Sequence, residues 1–118
     1  MSKFDIEAYA RTDVSAVISV LSAALGPIAS TDSLGEGVQF FEFEAAPVVV
    51  WESEDHFLSV SVGGAAPWTS CVALGRFLAE RLPCAVRCDP TAEFPEVSPY
   101  SNVFLEIEGG RERLVAWG

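Results

Sequence analysis

Residues 103–117 read VFLEIEGGRERLVAW, and this stretch decides the fold. Two alternating segments flank the Gly-Gly pair 109–110, which is the two-residue connection that favours a tight β-hairpin turn. Folding the chain about this turn pairs opposite charges on one face and aliphatic side chains on the other: Glu108 with Arg111, Glu106 with Arg113, Leu105 with Leu114, and Val103 with Ala116. Such cross-strand pairs stabilise a hairpin, so the sequence predicts one here with a fixed register.

Hydrophobic patterning predicts five further strands upstream of this hairpin. Alternation of apolar and polar residues marks half-buried strands, and a continuous apolar run marks a strand covered on both faces. The alternating strands are predicted at 3–10, 38–44 and 57–62, the continuously apolar one at 48–52, and a short one at 85–88. The polar stretch STDSLGEG, residues 30–37, is predicted to be a loop.

Two segments show the spacing of an amphipathic helix. The first stripe begins after Thr12 or Asp13, either of which can cap the helix, and ends at Gly26-Pro27. The second follows Thr69 or Ser70. The apolar stripes are Val14, Val17, Ile18, Leu21 and Leu25 in the first helix, and Cys71, Leu74, Leu78 and Leu82 in the second.

The predicted order is therefore β-α-β-β-β-α-β-β-β, within a single domain spanning 1–118. One-sided strands and two helical stripes favour a two-layer α+β sandwich, in which a mostly antiparallel sheet carries both helices on one face. The opposite face is then expected to be acidic and polar, since it displays Asp5, Glu7, Glu42, Glu44, Glu106, Glu108, Ser59 and Ser61.

The charge balance is the strongest compositional feature. Seven Lys and Arg residues face seventeen Asp and Glu residues, for a net charge of -10. Binding to nucleic acid or to an anionic membrane requires clustered basic residues, so neither partner is expected. The charge favours association with a basic protein. The alternative is that the acids only keep an apolar domain in solution.

The expected location is the cytoplasm. No apolar run approaches the roughly 18 residues that span a bilayer, and acids interrupt the N-terminal region where a signal peptide would be apolar. Three cysteines, an odd number, favour reduced thiols rather than disulfides.

The cysteines and the single histidine are the candidates for chemistry. Cys84 and Cys88 are separated by three residues, unlike a zinc or redox C-x-x-C pair, and core packing is favoured over a metal site or a reactive thiol. His56 follows Glu54 and Asp55 and could act as a general base, although a solvated turn is the commoner role. No cofactor and no metal site are predicted, and the sequence favours a protein that is not an enzyme.

The segment DPTAEFPEVSPYSN, residues 89–102, is the better candidate for function. Aromatic residues alternate with acids on a loop that three prolines brace, as in a preorganised binding element. The alternative is that Phe94 and Tyr100 turn inward and only hold the loop in place.

The C-terminal half also resembles a known class of protein. The run PWTSCVALGRFLAERLPCAVRCDP at 67–90, followed by EVSPYSNVFLEI at 96–107 and ERLVAW at 112–117, is similar to immunity proteins of bacterial polymorphic and interbacterial toxin systems. The resemblance implies tight binding to a cognate toxin domain, by occluding its active site or blocking its activation.

We therefore expect an immunity or inhibitor protein that captures a toxin domain with a basic surface. The expected contact residues are Glu42, Glu44, Glu52, Glu54, Asp55, Glu93, Phe94, Glu96 and Tyr100. The free protein is expected to be a monomer or a weak dimer, because the acids of the sheet face would oppose its burial against a second copy. The alternative is a small enzyme or ligand-binding domain that uses His56 with neighbouring carboxylates, or a cysteine thiol.

Overall fold

The computed structural model describes residues 5–64 and 66–117 of the 118-residue chain. Two α-helices and eight strands follow one another within these residues. Their bounds are β1 Ile6–Ala10, α1 Val14–Leu25, β2 Ile28–Gly35, β3 Val38–Phe43, β4 Pro47–Glu52, β5 Leu58–Val62, α2 Cys71–Arg81, β6 Val86–Cys88, β7 Val103–Glu108 and β8 Arg111–Ala116. The first two residues of the predicted strand 3–10 lie outside the described residues.

The described strands form one antiparallel sheet in the order β2-β3-β4-β5-β1-β6-β7-β8. Both helices pack on one face of it, so the predicted two-layer α+β class is confirmed. None of the helices among the described residues has the length and apolarity to cross a membrane.

One strand was not predicted. The stretch at 30–37, expected to be a polar loop, is mostly strand β2, which pairs with β3 through Thr31 opposite Phe41 and Asp32 opposite Phe40. The prediction was wrong because an alternating sequence pattern reveals a strand only when one of its faces is buried, and all eight residues of β2 are exposed. Backbone pairing to β3, rather than a buried face, forms this edge strand.

The C-terminal hairpin has the predicted register throughout. Glu106 lies opposite Arg113 and Glu108 opposite Arg111, while Leu105 lies opposite Leu114. Of the two possible caps for each helix, the structure uses the second. The Asp13 Oδ1 atom accepts a hydrogen bond from the Ala16 N–H at 2.9 Å, and the Ser70 Oγ atom accepts one from the Ala73 N–H at 3.1 Å.

Helix α2 lies unusually close to the sheet at Gly75. A Cβ atom at this position would be 2.8 Å from the Cys88 Sγ atom and 3.3 Å from its Cβ atom. Real Cβ contacts are longer than this, so only glycine lets the helix approach β6 at this distance. The close contact fixes α2 over the centre of the sheet, and the chain leaves β6 from there into the segment 89–102.

Candidate functional site

The predicted contact residues lie at opposite ends of the sheet. We call the end where β1 and β4 finish, next to the Glu54–His56 turn, the turn end, and the end where β6 leads into residues 89–102 the loop end. Glu52, Glu54 and Asp55 lie at the turn end. The residues at or near the loop end are Glu42, Glu44, Glu93, Phe94, Glu96 and Tyr100. A six-residue strand is about 20 Å long, so the two groups lie at different ends of the strands. Trp117 connects these ends, because its backbone N–H donates to the Asn102 carbonyl and its indole N–H donates to Asp55.

The turn end contains a cleft of about 1080 Å³, lined among others by Arg11, Asp13, Glu52 and His56. Asp55 and His56 both have positive φ angles, 58° and 66°, in a region that non-glycine residues rarely adopt. The backbone of this turn is therefore held by contacts elsewhere in the chain. One of them is a hydrogen bond of 2.7 Å from the Trp117 Nε1–H to the Asp55 Oδ2 atom.

His56, the possible general base identified from the sequence, lies in this cleft. His56 is exposed, and within the described residues no hydrogen bond joins it to a carboxylate. The nearest acid in the chain, Asp55, already accepts the indole N–H of Trp117. The arrangement can hold a small polar ligand, but it does not orient His56 for proton transfer.

The thiols are in surroundings that suppress their reactivity. Burial raises the pKa of the Cys71 and Cys84 thiols, and it raises that of Cys88 to about 12. Because the thiolate is the nucleophile, raised pKa values keep these groups protonated at neutral pH. In residues 5–64 and 66–117, no three or more His, Cys, Asp or Glu side chains come together in a way that could hold a metal ion.

The segment 89–102 at the loop end is ordered by hydrogen bonds within itself. The Asp89 Oδ1 atom accepts from the Thr91 N–H at 2.8 Å and from its hydroxyl at 2.7 Å. The Phe94 N–H donates to the Pro90 carbonyl at 2.9 Å, and the Val97 N–H donates to the Phe94 carbonyl at 3.0 Å. Successive turns therefore define the path of the backbone.

Arg76 of α2 connects this loop to the helix layer. Its guanidinium donates to both carboxylate oxygens of Glu93, at 2.6 and 2.9 Å, and to both oxygens of Glu112 in β8, at 2.8 and 3.0 Å. Bidentate pairs fix orientation as well as distance. Glu93 is therefore occupied within the chain and braces the loop.

The two aromatic rings of the loop point in different directions. Phe94 is half-buried and packs against the core between helices and sheet, so it serves as the inward anchor. Tyr100 is 96% exposed. The sequence left open whether both rings turn inward, and the structure shows that only Phe94 does.

The sheet face opposite the helices, here called the open face, is more apolar than expected. Glu7, Glu42, Glu106, Glu108, Ser59 and Ser61 do lie on it, whereas Asp5 and Glu44 fall outside strands β1 and β3, and the Glu44 side chain lies beside Gly26 at the end of α1. Half-buried apolar side chains from five strands, together with Trp117, lie on the same face. These are Tyr9, Val38, Phe40, Val49, Trp51, Phe104, Val115 and Trp117. Ser59 and Ser61, expected to face solvent, are 0% and 4% exposed because these larger neighbours surround them.

Arg87 forms the polar centre of the open face. Its guanidinium carbon lies 4.5 Å from the centre of the Phe57 ring and 4.9 Å from that of Trp117. Its Nε–H donates to the Glu106 Oε2 atom at 2.9 Å, while Arg113 donates to the Oε1 atom at 2.8 Å. Burial alone would raise the pKa of Glu106, but the hydrogen bonds from Arg113 and Arg87 outweigh it and lower that pKa.

The sequence did indicate apolar residues on the open face, but the acidic residues of the same strands led to the prediction of an acidic face. In the predicted hairpin register, Phe104 and Val115 fall on the same face as Glu106 and Arg113. The position of Trp117 over that face was not predictable, because it depends on a contact with Asp55, 62 residues away.

Comparisons with protein-family models, with curated proteins and with solved structures found no match to this chain.

Proposed function

We propose that this protein is an immunity-type inhibitor, which binds a cognate protein toxin domain with a basic surface and neutralises it by occlusion. The observation that carries the proposal is Tyr100, which is 96% exposed on a loop that several contacts hold in place. An exposed tyrosine on a rigid element has the character of a binding anchor.

Preorganisation of the loop is the first argument. Ordering a flexible loop on binding costs free energy, so a loop already fixed by Asp89, Phe94 and the Arg76–Glu93 pair binds more tightly. Within the predicted contact set, Glu93 and Phe94 therefore support the loop. Glu96 and Tyr100, both exposed, are the residues that contact the partner.

Charge is the second argument. No Lys or Arg occurs between Arg87 and Arg111, so the loop presents carboxylates without compensating bases of its own. Glu44, also exposed, lies at the same end of the sheet. With a net charge of -10, the protein attracts a basic partner and accelerates encounter at low ionic strength. The same charge disfavours nucleic acid and anionic membranes as partners.

Suppressed side-chain chemistry is the third argument. The raised thiol pKa values are unsuited to nucleophilic catalysis, and the exposed His56 has no carboxylate to orient it among the described residues. A non-catalytic role in the cytoplasm, where thiols remain reduced, is consistent with three free cysteines.

A second candidate is a ligand-binding or enzymatic domain that uses His56 in the turn-end cleft. Its size, about 1080 Å³, is the observation that favours it. His56→Ala separates the two candidates, because the cleft lies at the end of the sheet away from Tyr100. The inhibitor keeps its partner affinity in this variant, whereas a function of the cleft is lost.

The experiment is co-expression with the protein domain encoded immediately upstream, followed by calorimetry of the purified pair. We expect one-to-one binding, with Tyr100→Ala and Glu96→Arg each weakening it at least about 30-fold. Leu34→Ala is the matched control, since Leu34 is 57% exposed but lies on β2, away from the loop. Absence of binding by the wild-type protein would contradict the proposal.

A further inference from the structure

We propose that the free edge of β8 binds an extended polypeptide segment that carries lysine or arginine. The segment adds a strand to the sheet and places its basic side chain between β8 and α2. This inference concerns the edge of the sheet rather than the exposed Tyr100 side chain, and it does not depend on the proposed inhibitor function.

The backbone of β8 presents hydrogen-bonding groups to its free edge at every second residue. The Trp117 N–H donates to the Asn102 carbonyl at 2.8 Å, so these two residues form a hydrogen-bonded pair that continues the β7–β8 ladder. Hydrogen-bonded and non-hydrogen-bonded pairs alternate along an antiparallel ladder. The pairs that Ala116, Leu114 and Glu112 form with β7 are consequently of the non-hydrogen-bonded kind. The N–H and C=O groups of these three residues therefore point away from β7.

The other edge of the described sheet, β2, is blocked by its own side chains. Its register with β3 shifts twice, between Ile28 and Ser30 and between Ser33 and Gly35. The Asp32 Oδ1 atom accepts the Ser33 N–H at 2.9 Å, and the Gly35 carbonyl accepts the Ser33 hydroxyl at 3.3 Å. Bulges and irregular edges of this kind keep a strand from pairing with another chain.

The edge of β8 is regular by comparison. Its residues Arg111–Ala116 pair with β7 without a register shift. The second half of the strand, residues 114–116, is apolar, and Leu114 is 42% exposed. A regular edge with free N–H and C=O groups is the template for strand addition, in which the main chain of the ligand supplies the hydrogen bonds. The matching occupant is therefore a polypeptide in an extended conformation.

A side-chain pocket of about 260 Å³ lies beside this edge, on the helix face of the sheet. Its apolar surface comes from Ala79 of α2 and Ile107 of β7, and its carboxylates are those of Glu80 and Glu112. Lysine and arginine bury their aliphatic stems on apolar surface while their charged ends stay near acids and water. The pocket has both parts of such a site.

The charges around the pocket favour a basic side chain. Three acids, Glu80, Glu93 and Glu112, lie there with two arginines, Arg76 and Arg81. Arg76 is shared between two of the acids, whereas the Glu80 side chain is 72% exposed and lies 3.4 Å from Arg81. The acids outnumber the arginines, and the net charge of -10 on the whole chain also attracts a basic segment.

Cross-strand pairing specifies the pattern of the bound segment. In an antiparallel arrangement, the residue opposite Glu112 and the residue opposite Leu114 lie on the same face and are separated by one position. Opposite charges and aliphatic pairs are favoured between neighbouring strands. The segment therefore carries a basic residue and an aliphatic residue two positions apart.

NMR titration of the full chain with the peptide Thr-Lys-Thr-Val-Thr-Lys-Thr-Val, blocked at both ends, tests the inference. We expect saturable shifts of the Glu112, Leu114 and Ala116 amides, with a Kd below about 1 mM. The same peptide with glutamate in place of lysine should bind at least about 10-fold more weakly. A lysine peptide methylated on its backbone nitrogens should not bind, because it cannot donate to the edge.

Two variants test the edge and the pocket separately. Leu114→Pro removes an outward N–H but no hydrogen bond to β7, and it should weaken binding of the lysine peptide at least about 10-fold. Glu80→Lys should weaken the lysine peptide and leave the glutamate peptide no weaker. Leu34→Ala, on the blocked edge, is the matched control and should bind as the wild type does. If Leu114→Pro does not fold, as judged by circular dichroism, Ala116→Pro tests the same edge.

Absence of saturable shifts at these amides would overturn the inference. So would equal binding of the glutamate or methylated peptide, or undiminished binding by a folded proline variant. Sedimentation at twice the chain mass of 12.7 kDa, abolished by Leu114→Pro, would also overturn it, because a second copy would then occupy the edge. Tyr100→Ala should leave peptide binding unchanged while it impairs capture of the toxin domain, so the two proposals can fail independently.

Discussion

Trp117 donates its indole N–H to the Asp55 Oδ2 atom at 2.7 Å and so joins the C-terminal strand to the turn between β4 and β5, 62 residues away. The same ring lies 5.0 Å from the ring centres of both Tyr9 and Phe57. This contact explains how Asp55 holds a left-handed backbone conformation with φ of 58°. It also closes the aromatic cluster of the open face.

Trp117→Phe keeps a ring in the cluster but removes the N–H donor. We expect it to lower the free energy of unfolding by about 1 kcal/mol, since a single hydrogen bond is lost at an exposed acceptor. Urea denaturation measures the change. Asp55→Asn is the control, because it retains an acceptor and tolerates positive φ, and it should shift stability by less than about 0.5 kcal/mol. Equal losses of unfolding free energy in Trp117→Phe and Asp55→Asn would show that the hydrogen bond itself contributes little to stability.

Glu106→Gln should produce a destabilisation that depends on pH. Removing the carboxylate leaves Arg87, whose side chain is 18% exposed, without its charge partner, so we expect a loss of about 2–3 kcal/mol at pH 7. The folded-state pKa of Glu106 lies below its ordinary value of 4.5. Its contribution is therefore complete above pH 4.5 and is lost as the pH falls through the folded-state pKa.

Unfolding of wild-type and variant protein at several pH values checks this sign. The difference in the free energy of unfolding between wild-type protein and Glu106→Gln should be constant from pH 7 to about 5.5 and should decrease below pH 4.5. Glu93→Gln is the matched control on the surface, where Arg76 keeps Glu112 as a partner and the loss should stay below about 1 kcal/mol. A difference in the free energy of unfolding that stays unchanged down to pH 3 would contradict a stabilising role of the ionised Glu106 carboxylate.

The hairpin was predictable from the sequence because the residues that determine its pairing lie close together along the chain. A Gly-Gly turn and the alternation on either side determine which residues face each other, and the observed pairs match. Strand β2 was not predictable, since its exposed residues carry no periodic signal. The inward role of Phe94 and the exposure of Tyr100 were equally beyond the sequence. Phe94 packs against the core and its neighbour Glu93 pairs with Arg76 of α2, and no local pattern encodes such contacts between elements.

Gly75→Ala tests the close approach of α2 to the sheet. Alanine normally stabilises a helix interior relative to glycine by about 1 kcal/mol. Here its Cβ atom would lie 2.8 Å from the Cys88 Sγ atom, so we expect a net loss of about 1–3 kcal/mol by urea denaturation. The double variant Gly75→Ala, Cys88→Ala should recover part of that loss by removing the sulfur. A stabilising single variant would mean that the helix can move away freely.

The three thiols should react slowly with an aromatic disulfide reagent at pH 7.5. Burial raises the pKa of each, that of Cys88 to about 12, so the thiolate fraction of each is lower than that of free cysteine at this pH. Rates should rise with pH, and all three thiols should react promptly in denaturing urea, which serves as the control. A rapid phase from one thiol in the folded protein would favour the alternative of thiol chemistry.

The central claim is that the protein captures a basic protein domain through Tyr100 on the loop 89–102. The most direct measurement is calorimetric titration of the domain encoded immediately upstream into wild-type protein, Tyr100→Ala and Leu34→Ala. The claim predicts one-to-one binding by the wild type and by Leu34→Ala, with affinity reduced at least about 30-fold in Tyr100→Ala. Undiminished binding by a folded Tyr100→Ala variant, or no binding by the wild type, would contradict it.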